Sequence, residues 1–136
     1  MKNKLQNLSK YRLEKAKDDL ETSEIMLNHN KFSQSINRSY YAMFHAVKSL
    51  LAFDQFDSQK HSGIISYFNL HFIKTDKIEV LYSKMITTAF KIRSDSDYKD
   101  FYIITREDAE HQFDNAKKFI KRIQEFIEQS YKKYEK

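Results

Sequence analysis

The sequence predicts an all-α fold, an antiparallel bundle of about five helices, and three observations carry that expectation. Proline is absent and glycine occurs once, at Gly63. That removes the usual punctuation of tight hairpins and leaves Leu, Ile, Lys, Glu, Gln and Ala dominant. Apolar residues recur at intervals of three and four over long stretches, the pattern of a helix with one buried face. The chain has 136 residues, 40% of them hydrophobic, with 11 Phe and 9 Tyr, so it can bury a core as one domain.

The first helix is expected over residues 9 to about 29. Ser9 can serve as its N-cap, and Leu13, Ala16, Leu20, Ser23 and Leu27 recur at helical spacing. Lys15, Lys17, Asp18, Asp19, Glu21 and Glu24 fall on its other faces. After "NHNKF" a second helix covers residues 32 to about 53. A third is read in "SQKHSGIISYFNLHFIK", with Ile64, Ile65, Phe68, Phe72 and Ile73 as its apolar members and Gly63 weakening its first turn. The fourth, about 76 to 94, has the inward stripe Ile78, Leu81, Met85, Thr88, Ala89 and Ile92. "SDSDYKDFYIIT" is the longest irregular candidate.

The last helix has the clearest start. Thr105 and Asp108 form a capping-box pattern, and Glu107, Asp108 and Glu110 load its first turn. Ala109, Ala116, Ile120, Ile123 and Ile127 mark its buried stripe. The lysines of "SYKKYEK" suit the negative end of the helix dipole, so the basic end at 128–136 requires no nucleic-acid explanation. No repeat or linker divides the chain, so one domain is expected over 1–136, with its core at about 9–127.

Composition excludes several chemistries. Without cysteine there are no disulfides, thiolates or cysteine-ligated zinc. With one glycine there is no Gly-rich phosphate loop. His29, His71 and His111 lie far apart and lack the close spacing of metal ligands, so neither a metal nor another cofactor is expected. No stretch approaches the roughly 18 apolar residues of a membrane span, and the N-terminus lacks the apolar block of a signal peptide. A soluble, cytoplasmic protein with no membrane partner is the expectation. A net charge of +5 and a pI near 9.2 favour an anionic partner only modestly.

The second helix carries the functional signal, in "SINRSYYAMFHAVKSLL". Ile36, Tyr40, Met43, Phe44, Val47, Leu50 and Leu51 form one broad apolar stripe. Arg38 and His45, two turns apart, share a face pointing away from it, about 10 Å apart along the axis. Their neighbours Ala42, Ala46, Ser49 and Ala52 are small. Small residues beside Arg, His and Tyr41 imply that a further surface approaches closely, and a second copy of the chain is the expected one.

Together with "KHSGIISYF" and "RSDSDYKDFYIIT", this stretch resembles the HEPN domain family over residues 9 to 127, in particular the prokaryotic branch of toxins paired with minimal nucleotidyltransferases. Ribonuclease members carry an Arg, four to six residues, then a His. Arg38 and His45 bracket six. The resemblance implies a homodimeric helical bundle in which Arg and His from both protomers line one cleft and cut RNA without metal. It also implies a toxin and antitoxin pair with a small nucleotidyltransferase. His45 would move the proton and Arg38 would hold the phosphorane charge, since an imidazole with a pKa of about 6.5 suits proton transfer near neutrality. Such members often place Asn, Asp or His directly after the Arg; this chain departs from that pattern, with Ser39 following and Asn37 preceding.

Asn37, Ser39, Tyr41, Lys60 and His61 are the candidate cleft residues. Lys60 and His61 could meet a phosphate near a helix start, although a His there is commonly satisfied by backbone. Arg93, Asp97 and Tyr98 are expected as structural support, with Arg93 and Asp97 an i,i+4 ion pair, Tyr98 packed beside them, and Asp97 a possible carboxylate partner for Arg38 and His45. Two rival readings are a non-catalytic module binding nucleotide, RNA or a nucleotidyltransferase through the same cleft, and a purely structural interaction protein.

Overall fold

The helical periodicities resolve into α1 (Lys2–Asn28), α2 (Phe32–Leu51), α3 (His61–Phe68), α4 (Val80–Tyr98) and α5 (Arg106–Ser130). The computed structural model describes residues 2–131, and no strand occurs among them. Lys132, Lys133 and Lys136 of the expected basic end lie outside the described residues.

Helix α2 is the axis of the core. Its expected stripe, Ile36 through Leu51, is buried throughout. Against it pack Ile64 and Phe68 of α3, Ile86 and Ala89 of α4, and Phe119, Ile120 and Ile123 of α5. At α5 the capping box forms as the sequence implied: the Asp108 N–H donates to Thr105 Oγ1, and the Thr105 N–H donates to Asp108 Oδ2, each at 3.1 Å. Thr105→Ala is expected to cost about 1 kcal/mol, read as a lower urea midpoint with an unchanged slope.

Helices α1, α3 and α4 differ from expectation in their boundaries. Ser9 is no N-cap: α1 starts at Lys2, because the preceding residues are themselves helix formers, and Ser9 lies buried inside it. Helix α4 begins at Val80, and Ile78 is buried in the approach to it, its N–H bonded to the Phe72 carbonyl at 2.9 Å. The helix then runs on to Tyr98, so the first part of "SDSDYKDFYIIT" is helical and stapled by i,i+4 pairs of Lys91 with Asp95 and Arg93 with Asp97. Within α4 the buried face is Met85, Ile86 and Ala89, and Leu81 and Thr88 of the expected stripe are exposed. Helix α3 is shorter than expected and passes into a π turn at Asn69–Ile73. A Cβ at Gly63 would stand 2.5 Å from Ser58 Oγ, so the lone glycine admits the loop that approaches α3.

The small residues of α2 meet α1 of the same chain. Ser23 Oγ lies 2.9 Å from the Ser35 carbonyl and 2.7 Å from Ser39 Oγ, and Arg12 Nη1 donates to the Lys48 carbonyl at 3.0 Å. These bonds fix an antiparallel register. Ser9, Ala16 and Ser23 on one side and Ser35, Ser39, Ala42, Ala46 and Ser49 on the other are buried, making a seam where two backbones can approach closely. The closely approaching surface inferred from the sequence is therefore α1, and the small residues cease to be an argument for a second copy.

Candidate functional site

The seam register puts residue 19 of α1 opposite residue 42 of α2, midway between Arg38 and His45. Asp19 reaches both. Its Oδ1 accepts from Arg38 Nη1 at 3.0 Å, and its Oδ2 lies 2.7 Å from His45 Nδ1. The Asp19 and His45 side chains are largely buried, at 13% and 18% exposure, while Arg38 keeps 35%. A carboxylate only accepts hydrogen bonds, so Nδ1 of His45 carries the hydrogen and Nε2 of the neutral ring keeps its lone pair. Asn37 supports the guanidinium through Oδ1, which accepts from Arg38 Nε at 3.1 Å and Nη2 at 2.8 Å. The amide preceding the arginine thus contacts it directly.

Tyr41 is the centre of this surface. Its half-buried ring has the Arg38 guanidinium at 4.9 Å, that of Arg93 at 5.4 Å, the His61 ring at 5.7 Å and the His45 ring at 5.9 Å. Four N–H-bearing groups from α2, α3 and α4 therefore surround one aromatic ring, an arrangement suited to an anion.

His61 is satisfied by a side chain, not by backbone as a helix-terminal histidine commonly is. Its Nδ1 lies 2.7 Å from the hydroxyl of buried Tyr40, and its ring stacks on Phe44 at 4.3 Å. Burial holds the His61 pKa below its ordinary value, and the neighbouring Arg93, His45 and Lys48 act in the same direction. Burial also pushes the Tyr40 phenol well up, so Tyr40 keeps its proton. Because the folded-state pKa of His61 is depressed, its contribution to stability is present above about pH 6.5 and is lost as pH falls through the folded value. Thermal melts of wild type and His61→Gln from pH 7.5 to 5 should show the wild-type advantage shrinking below about pH 6.5.

The other expected residues divide. Arg93 pairs with Asp97, Nε to Oδ2 at 3.1 Å, as its spacing implied, but it also belongs to the group around Tyr41. Asp97 is not the carboxylate of Arg38 and His45, because Arg93 holds it and Asp19 occupies that place; it borders a cavity of about 330 Å³ with Thr22, Met26, Asn37 and Arg38. Tyr98 does not pack beside the pair: at the end of α4 it is 77% exposed. Ser39 is not a cleft residue, since the seam buries it against Ser23. Lys60 is exposed at the N-cap position of α3. By sequence Asp19 falls outside the apolar stripe of the first helix, among its other charged residues. The signal for it was present, since residues 9, 12, 16, 19 and 23 run at alternating steps of three and four, and three of them are small.

The chain is all-helical, with Asp19, Arg38 and His45 clustered between two antiparallel helices. In comparison with known proteins, a family model described as HEPN domain matches residues 9–126. Two proteins of Methanocaldococcus jannaschii, each bearing the name "Putative toxin", are 32% and 31% identical over 85% and 86% of this chain, which cover 78% and 87% of theirs. A UPF0332 protein of Thermotoga maritima is 28% identical over 93% of this chain and 96% of its own. The chain belongs to the HEPN domain family. Among the described residues no helix is long and apolar enough to cross a membrane.

Proposed function

We propose that the protein is a metal-independent endoribonuclease, one HEPN-like domain acting as a homodimer, and the toxin of a toxin and antitoxin pair whose partner is a small nucleotidyltransferase. The observation that carries the reading is the Asp19 carboxylate bridging Arg38 and His45 at 3.0 and 2.7 Å. In the proposed reaction the RNA 2′-oxygen attacks the adjacent phosphorus while its proton passes to Nε2 of His45. The bond from phosphorus to the 5′-oxygen then breaks, and that oxygen leaves with a proton from the imidazolium or water. The product is a 2′,3′-cyclic phosphate. Arg38 meets the charge on the phosphorane oxygens. Asp19 holds the imidazole in the tautomer this needs. The names of the two Methanocaldococcus relatives support the toxin assignment.

The test incubates purified protein with RNA, with and without EDTA, and analyses the new 3′ ends. Cyclic phosphate ends in both conditions are expected. Intact RNA in both would end the proposal.

A non-catalytic reading draws on one observation. Three N–H directions of Arg38 are already taken by Asp19 and Asn37, which suits a fixed binding surface as well as a clamp. Saturable RNA binding without turnover would favour it.

A further inference from the structure

His61 lies across the Tyr41 and Phe44 rings from His45, and the two imidazoles are held in opposite ways. Each ring contacts Phe44, at 4.3 Å for His61 and 5.8 Å for His45. His45 gives its Nδ1 hydrogen to a carboxylate. At His61 the partner is a phenol that keeps its proton in a buried position and, among the described residues, finds its hydrogen-bond partner in His61 Nδ1. A buried hydroxyl hydrogen needs an acceptor, so Nδ1 of His61 accepts, and the ring hydrogen sits on Nε2. Lys48 from α2 and Arg93 from α4 place positive charge near this ring, and His45 from α2 adds to it once it has taken up a proton. All three oppose a positive charge on His61.

We propose that His61 binds RNA as a neutral hydrogen-bond donor, its Nε2–H directed at a non-bridging phosphate oxygen beside Tyr41, with Tyr40 as the positioning residue that fixes its tautomer. The inference rests on the RNA reading above and deepens it. It divides the labour between two histidines: Nε2 of His45 accepts a proton, and Nε2 of His61 offers a hydrogen bond without transferring its hydrogen. Arg38 and Arg93, on the same tyrosine ring, supply the charge attraction for the phosphodiester.

The test measures binding of a 2′-O-methyl RNA, which lacks the attacking hydroxyl, to the full chain over a range of salt. His61→Ala is expected to weaken binding about tenfold. His61→Gln, whose side-chain amide can place an N–H near the position of Nε2, should recover most of it. The slope of log affinity against log salt should stay the same in all three proteins, because a neutral donor releases no counterion. Thermal melts establish that the variants are folded. The proposal is overturned if His61→Ala binds as wild type does, if folded His61→Gln is as weak as His61→Ala, or if the slope falls by about one, which would mean a charged imidazole. It is also overturned if wild type fails to bind this RNA. Cleavage of unmodified RNA by wild type is scored separately, so binding without cleavage removes the nuclease reading and leaves this one standing. Cleavage with an indifferent His61 does the reverse.

Discussion

His45→Ala and Arg38→Ala are each expected to lower the rate of RNA cleavage by about 10²- to 10⁴-fold, the range for losing a positioned proton acceptor or a donor to developing charge. The two losses should differ in kind. Without His45 the acid limb of the pH and rate profile should disappear, because the group whose deprotonation it reports is gone. Without Arg38 that limb should survive at a reduced ceiling, and affinity for RNA should also fall. Both variants should stay folded, since neither side chain is fully enclosed. Single-turnover cleavage across pH, with the product ends identified, checks this. A His45→Ala protein cutting within threefold of wild type would remove the imidazole from the mechanism.

Asp19→Asn should have the next largest effect, and it separates geometry from charge. An amide is nearly the size of a carboxylate, so the seam should close around it, but it presents one acceptor and one donor in place of two acceptors. It can accept from Arg38 or from His45, not from both. If it serves Arg38, its NH₂ faces Nδ1 of His45, the imidazole adopts the other tautomer, and Nε2 can no longer accept the proton. A loss of about 10²- to 10⁴-fold in cleavage follows, with little change in melting. Asp19→Ala should add a stability cost of about 1–3 kcal/mol, because it leaves half-buried donors of Arg38 and His45 without partners. Cleavage rates and urea midpoints measured on both variants distinguish the cases. Full activity in Asp19→Asn would show that the carboxylate does not set the tautomer.

The core was the readable part of the fold. The stripe of α2 and the capping box of α5 rest on local rules of spacing and hydrogen bonding, so they were visible before any tertiary information. Leu81 and Thr88 fall outside the buried face because a period fixes a face only to within about a residue's arc, and the neighbouring helices decide which side of that arc is covered, here Met85, Ile86 and Ala89. At the site, Arg38, His45, Asn37, Tyr41 and His61 could be named because they stand in or beside recognisable stretches. Asp19 could not be picked from the five carboxylates on its helix without the register of the seam, and that register is a property of two helices together. Ser39 leaves the expected cleft because neighbouring positions on a helix point about 100° apart, which puts Arg38 at the cleft and the next residue inside the seam.

The seam of serines and alanines leaves no slack between α1 and α2. The serines and alanines have no length with which to give way, so along them the separation of the two helices is set almost by backbone against backbone, and the span from Asp19 to its two partners is set with it. Added bulk at Ala16, Ala42 or Ala46 would lift the carboxylate away from Arg38 and His45 together while leaving every reactive group in the sequence. The site thus depends on side chains that are missing as much as on those present, and its mutational footprint extends along a strip of residues that have no chemistry of their own.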